Sequence, residues 1–253
     1  MREHSEQRAR ARILAWSVHV FTSLGLVAAA GIAVLIVWGG AVSFRGAFML
    51  MWLATLIDAV DGTLARRARV REVLPGFDGR RLDDLIDFQT YTSLPLLLMW
   101  RADLLPGPWA LLLLAPLVTS AFGFSRSAAK TDDGYFLGFP SYWNIVAFYL
   151  YYLAPPAWVT ATAVTLLAFL TLVPSRYLYP TQPGKLNAIA NILAVPWAIL
   201  LLWITVRGPG PGGNLLLISL YFPAFYLGAS WCLSLTKGHT AISRVSAGPN
   251  RRG

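Results

Sequence analysis

Charge is scarce in this sequence. Asp, Glu, Lys and Arg make up 13% of its 253 residues while hydrophobic residues reach 56%. A water-soluble domain carries about a quarter charged residues, so a soluble globule is excluded. Cysteine is scarcer still: Cys232 stands alone in a late apolar run. That excludes an intrachain disulfide and leaves the role of a small buried hydrophobe. With three histidines and one cysteine, no His/Cys metal cluster can be drawn. Internal repeats, low-complexity tracts and a soluble domain are missing as well.

What the chain has is apolar length. Hydrophobic runs recur at approximately 14–38, 46–65, 82–100, 109–128, 139–154, 157–174, 187–206 and 214–235, each near the roughly 20 residues that cross a bilayer. The fifth is the weakest, being short, aromatic and interrupted by polar residues. The expected fold class is all-α: a polytopic membrane helical bundle of about eight transmembrane helices. Residues 1–13 read as a basic cytosolic segment, 14–237 as the membrane domain and 238–253 as a basic tail. The first run follows a basic N-terminus, but it is too long for a signal-peptide core and is kept as a span.

The net charge of +9 does not point to nucleic acid, because the cations sit in short segments between apolar runs, where they meet lipid headgroups or phosphate-bearing substrates. With eight spans, one side collects nearly all of them and only Arg45, Arg101 and Arg207 fall on the other. Cytoplasmic loops carry the excess of Lys and Arg, so both termini are expected in the cytoplasm. The outer connections are short and rich in Gly and Pro, as tight turns require.

Acid is concentrated where the chain is otherwise apolar. Asp58, Asp61, Asp78, Asp83, Asp84 and Asp87 are six of nine aspartates, all between residues 58 and 87. A carboxylate deep in a membrane helix costs about 2.5–3.5 kcal/mol on insertion scales. Asp58 and Asp61 are three apart and Asp83 and Asp87 four apart, so each pair shares a helix face. Four converging anions raise one another's pKa unless cations join them, and hard oxygen ligands favour Mg²⁺ or Mn²⁺. Gly62 and Ala65 leave room for a ligand beside the helix, and Arg66 offers a planar guanidinium to phosphate. Gly79, at the expected start of the next helix, puts free amide hydrogens near an anion. Asp78 and Asp84 lie off the shared face and read as solvated carboxylates beside arginines.

The residues Asp58, Asp61, Gly62, Ala65, Arg66, Gly79, Asp83 and Asp87 spell D-x2-D-G-x2-A-R followed by G-x3-D-x3-D. This pattern resembles the signature of the CDP-alcohol phosphotransferases, matched at every position. The twelve residues from 67 to 78 that separate its two halves exceed the commonest spacing and resemble the bacterial phosphatidylcholine synthase branch. The resemblance implies that Asp58, Asp61 and Asp83 are metal ligands, with Asp87 a ligand or the general base. Asp58, Gly62, Ala65, Arg66 and Gly79 would border the nucleotide. It implies two Mn²⁺ or Mg²⁺ ions, CDP-diacylglycerol and choline as substrates, release of CMP, and a multi-pass protein of the bacterial inner membrane with its active site facing the cytoplasm. A homodimer belongs to the same set of expectations.

A second stretch, residues 126–144, combines cations, acid and aromatics. Arg126 and Lys130 are candidates for lipid phosphate. Asp133, Tyr142, Trp143 and Asn144 are candidates for choline, a quaternary ammonium that aromatic faces bind. Lys130, Thr131, Asp133, Phe136, Gly138, Phe139, Pro140, Trp143 and Asn144 also resemble the phosphatidylcholine synthase pattern; the plain alternative is an interfacial aromatic belt. His19 and Thr22, one turn apart on the first helix, either line the cavity or hydrogen-bond to a neighbouring helix. Arg176, Tyr177, Tyr179 and Lys185 read as a solvated loop. Other acceptors (serine, inositol phosphate, glycerol phosphate) stay as alternatives, as does a cation transporter, which would carry its carboxylates nearer the membrane midplane.

Overall fold

The computed structural model describes residues 2–126, 135–179, 184–210 and 213–246. The chain divides into two compact units, residues 1–117 with 142–161 and residues 118–141 with 162–253.

The first unit is built on two long antiparallel helices, α1 (Arg2–Trp38) and α2 (Gly40–Arg67). Their apolar residues recur at helical spacing. On α2, Phe44, Ala47, Phe48, Met51 and Ala54 turn inward, while Val42, Leu53 and Leu56 stay exposed, as on helices that face lipid. Close approach relies on small residues: a side chain at Gly31 would run into Leu50, and one at Gly46 would meet Leu35. After α2 the chain makes the four-residue helix α3 (Val70–Val73), then α4 (Gly79–Asp87). A π turn (Phe88–Ser93) carries α4 into α5 (Leu94–Arg101). The helix α7 (Trp143–Leu153) completes the unit, with Trp143 wholly buried and Phe148 packed against Phe48 and Trp52 at 5.5 and 5.3 Å between ring centres.

The twelve-residue spacer has a packing role. Val70 and Leu74 form a buried cluster with Ala15 and Val18 of α1, and Leu64, Ala65 and Ala68 lie against it. The longer connection therefore ties the end of α2 back onto α1.

The 3₁₀ segment (Gly107–Leu113) belongs to the first unit, and α6 (Leu114–Ser125) and α8 (Ala157–Leu172) each have residues in both. In the second unit, strand β1 (Tyr135–Leu137) pairs antiparallel with β2 (Arg176–Leu178), Phe136 opposite Tyr177. Helices α9 (Lys185–Arg207), α10 (Asn214–Ser219) and α11 (Tyr221–Ser246) follow. The free edge of a strand needs partners for its backbone, and α11 provides them at one-turn intervals. Tyr226 donates to the Leu178 carbonyl (2.9 Å), Ser230 accepts from the Leu178 amide (3.1 Å), and Ser234 accepts from the Arg176 amide (3.3 Å). The residues around Arg176 are thus not the solvated loop that their polarity suggested: Tyr177 and Leu178 are buried.

The all-α membrane class holds, apart from this two-stranded ribbon. Among the described residues, five helices are long and apolar enough to cross a membrane: Ser5–Trp38, Gly40–Arg67, Gly107–Ser125, Lys185–Arg207 and Asn214–Leu235. Of the other three expected spans, 82–100 is divided by the π turn, 139–154 shortens to the 11-residue α7, and 157–174 is the 16-residue α8.

Candidate metal centre and active site

The two halves of the aspartate motif meet in the first unit. Asp58, Asp83 and Asp87 each bring a carboxylate oxygen within 4.8 Å of the others, and all three are half-buried. Helix geometry explains part of the meeting: the four-residue step on α4 keeps Asp83 and Asp87 on one face. Asp61 is not part of that triple. It is 6% exposed, accepts a 2.8 Å hydrogen bond from the Thr22 hydroxyl of α1, and lies within hydrogen-bonding reach of Asp83.

No metal is needed to draw this geometry, but the donor set fits one. Three carboxylates within 4.8 Å of one another are an unfavourable arrangement of like charges unless a cation joins them. Oxygen-only ligands suit a hard divalent ion such as Mg²⁺ or Mn²⁺. The cluster could therefore hold a metal ion.

The depth of the site is set by the length of α2. Asp58 and Asp61 lie 18 and 21 residues beyond Gly40, or about 27–32 Å along the axis. That matches the hydrocarbon thickness of a bilayer, so a bilayer that began at Gly40 would end near the carboxylates. Arg101 marks the other end, its guanidinium against Gly39 in the α1–α2 turn.

The nucleotide candidates divide between open and packed surface. Gly62 is half-buried, and a side chain there would touch only Arg66 Nη1, at 3.5 Å. Arg66 is exposed and donates to Thr63 Oγ1 of its own helix at 3.0 Å. Ala65 leans on the Val70–Leu74 cluster; its smallness serves the α1–α2 packing. Gly79 faces His19: a Cβ would overlap His19 Cε1 and come within 3.0 Å of Nδ1. The start of α4 already carries an anion, because the Asp78 carboxylate accepts from the Arg81 amide at 3.1 Å. Asp78 is therefore an N-cap, a role beyond that of the solvated acid its position suggests.

The open question on α1 is resolved for Thr22, which hydrogen-bonds to the neighbouring α2. His19 is 6% exposed and packs on Phe77 at 4.4 Å and Trp16 at 5.8 Å between ring centres. Its Nε2 is buried with no hydrogen-bond partner among the described residues.

Of the second stretch, Lys130 and Asp133 lie outside the described residues. Arg126 belongs to the second unit and donates to the Leu172 carbonyl at 3.2 Å. Trp143 and Asn144 are core residues of the first unit, 0% and 1% exposed; the Asn144 amide donates to Thr55 Oγ1 at 3.4 Å. Tyr142 keeps accessible surface, and its ring lies 6.2 Å from that of Tyr91. Tyr91 escaped the sequence reading. Its hydroxyl donates to Asp58 Oδ2 at 2.7 Å. The signal was the four-residue step itself, which runs Asp83, Asp87, Tyr91.

Phosphatidylcholine synthase of Pseudomonas aeruginosa is 35% identical over 226 residues, which cover 87% of this chain and 90% of the relative. The chain belongs to the phosphatidylcholine synthase branch of the CDP-alcohol phosphotransferases. Within that branch, the phosphatidylcholine synthase of Bradyrhizobium diazoefficiens is 40% identical over 84% of this chain and 80% of its own length. That of Agrobacterium fabrum is 34% identical over 75% and 78%. No family model matches the chain. Membership of the branch bears out the resemblance read from the motif and from the twelve-residue spacer.

Proposed function

We propose that the chain transfers the phosphatidyl group of CDP-diacylglycerol to choline and releases CMP. The observation that carries this reading is the meeting of Asp58, Asp83 and Asp87, in a chain whose relatives over most of its length are phosphatidylcholine synthases. Asp58, Asp61, Asp83 and Asp87 would hold two Mn²⁺ or Mg²⁺ ions, which neutralise the pyrophosphate and the departing CMP.

The chain's own residues do the remaining work in this reading. Asp58, Gly62 and Arg66 border the cytidine diphosphate, with Arg66 placing its guanidinium on a phosphate, while Ala65 and Gly79 keep the helices around it in close contact. Asp87 takes the proton from the choline hydroxyl. The choline oxygen bonds to the β-phosphorus, the one attached to diacylglycerol. The bond from that phosphorus to the bridging oxygen breaks, and its electron pair leaves with CMP. Tyr142 offers its face to the trimethylammonium group, an attraction of about 0.5–2 kcal/mol. Arg126 and Lys130 are assigned to lipid phosphate, and Asp133 to the ammonium, on charge and motif alone.

Eight membrane crossings with both termini cytoplasmic, in the bacterial inner membrane, complete the proposal, supported by the distribution of basic residues. The length of α2 before Asp58, about that of a bilayer's hydrocarbon core, supports a phosphate-bearing donor at a membrane face over a midplane cation path. Assembly as a homodimer would be read from the mass of the purified protein.

The deciding experiment incubates membranes containing the protein with CDP-diacylglycerol and labelled choline, serine or glycerol phosphate, with Mn²⁺ or with chelator. Phosphatidylcholine that appears with Mn²⁺ and disappears with chelator supports the reading. Product from serine or glycerol phosphate alone would overturn the choice of acceptor.

A further inference from the structure

The helix that carries Asp83 and Asp87 is not regular. Between Phe88 and Ser93 it widens into a π turn, closed by the Leu94 amide donating to the Gln89 carbonyl five residues back. A turn of this kind inside an α-helix is rare and is found mostly at functional sites. Beside the turn, the Thr90 hydroxyl donates to the Ile86 carbonyl one turn back at 3.1 Å. On the far side of the turn, Leu94, Leu96, Leu98 and Met99 are buried, so the apolar face of α5 is kept against the core. Within the turn stands Tyr91, its hydroxyl 2.7 Å from Asp58 Oδ2 on α2.

That contact joins the two halves of the carboxylate cluster by a route other than the ion. A carboxylate is flat and rotates easily about its last bond. A hydroxyl fixed on one oxygen sets the plane of the group, and with it the direction of the remaining lone pairs. Groups that orient metal ligands in this way tune affinity without touching the ion. The donor comes from the same helix as Asp83 and Asp87, so the plane of Asp58 is set by the element that bears its two partners.

We infer that Tyr91 is a positioning residue: through the π turn, its hydroxyl orients Asp58 toward the ion that Asp58, Asp83 and Asp87 share. The inference rests on the reading of these carboxylates as a metal site. It does not depend on choline as the acceptor.

The test measures Mn²⁺ binding to the purified full-length protein by the loss of the free-ion electron paramagnetic resonance signal, without substrate. Tyr91→Phe keeps the ring and removes the donor. Its Mn²⁺ dissociation constant is expected to rise about 10–100-fold. Tyr151→Phe, which loses a hydroxyl elsewhere in the same unit, is expected to bind as the wild type does. A second comparison guards against a folding defect. In Asp58→Asn the residue being oriented is already impaired, so adding Tyr91→Phe should weaken Mn²⁺ binding little further. Equal affinity of Tyr91→Phe and wild type, or additive losses in the double variant, overturns the positioning role. A wild-type protein that binds no Mn²⁺ overturns the metal-site reading beneath it.

Discussion

Gly79→Ala is the sharpest perturbation that the site offers, because two explanations of this motif glycine predict different outcomes. The added methyl would overlap His19 Cε1. His19 has little freedom to retreat: it is 6% exposed, with Phe77 at 4.4 Å and Trp16 at 5.8 Å around its ring. Overpacking of this kind costs about 1–3 kcal/mol. Replacing glycine by alanine inside a helix returns about 0.5–1 kcal/mol, and less at the first residue of α4. Overpacking therefore wins, leaving a net loss of about 1–2 kcal/mol. At about 2–4 °C per kcal/mol for a protein of this size, the unfolding midpoint of the purified protein should drop by about 2–8 °C. The decisive measurement is the double variant His19→Ala/Gly79→Ala. Removing the ring removes the clash, so the two substitutions should couple by about 1–2 kcal/mol in favour of the pair. A glycine kept small only for the nucleotide would show neither effect: the single variant would unfold with the wild type, and activity would stay lost whatever residue 19 is. That pattern would refute the packing explanation.

Three further outcomes follow from the same geometry. Asp87→Asn should abolish phosphatidylcholine formation while the protein still inserts in membranes and is recovered at normal yield; turnover above a few per cent would remove Asp87 from the chemistry. Tyr142→Leu should raise the KM for choline about 2–30-fold, the range that about 0.5–2 kcal/mol of cation–π attraction corresponds to, with the KM for CDP-diacylglycerol changed little. An unchanged choline KM would move the ammonium elsewhere. Gly138→Ala should be the most damaging substitution in the ribbon of the second unit. Gly138 has φ +86° and faces the Thr171 backbone, with a new Cβ overlapping the Thr171 carbonyl oxygen and 3.1 Å from its carbon. Strain and clash together should lower the expression of folded protein severely, and wild-type yield and unfolding temperature would contradict this.

The carboxylates were legible in the sequence because their information is local. Spacings of three and four place two side chains on one helix face whatever the rest of the chain does, and an apolar setting makes each acid conspicuous. The partners of those residues were not legible. Thr22 and Asp61 are 39 positions apart, and nothing in either segment names the other. Gly79 reads as bordering the nucleotide because a missing side chain says only that something comes close; here it is His19. The π turn leaves no mark on a pattern read with a 3.6-residue period, so Tyr91 was missed one step past the motif. The strands around Phe136 and Tyr177 are three residues long, too short for an alternating pattern to emerge. Trp143 and Asn144 matched a pattern of the branch by type, yet burial in the α7 packing is what the structure assigns to them.

The bond from Thr22 to Asp61 has a consequence for how the protein is made. Both residues belong to a hairpin that leaves the ribosome before α4, and domains assemble from the N-terminus during synthesis. Asp61 would acquire its partner in the membrane before Asp83 and Asp87 have been translated. The α2 side of the site is then an early, hydrogen-bonded fixture, and Asp83 and Asp87 arrive on a helix that must dock beside it.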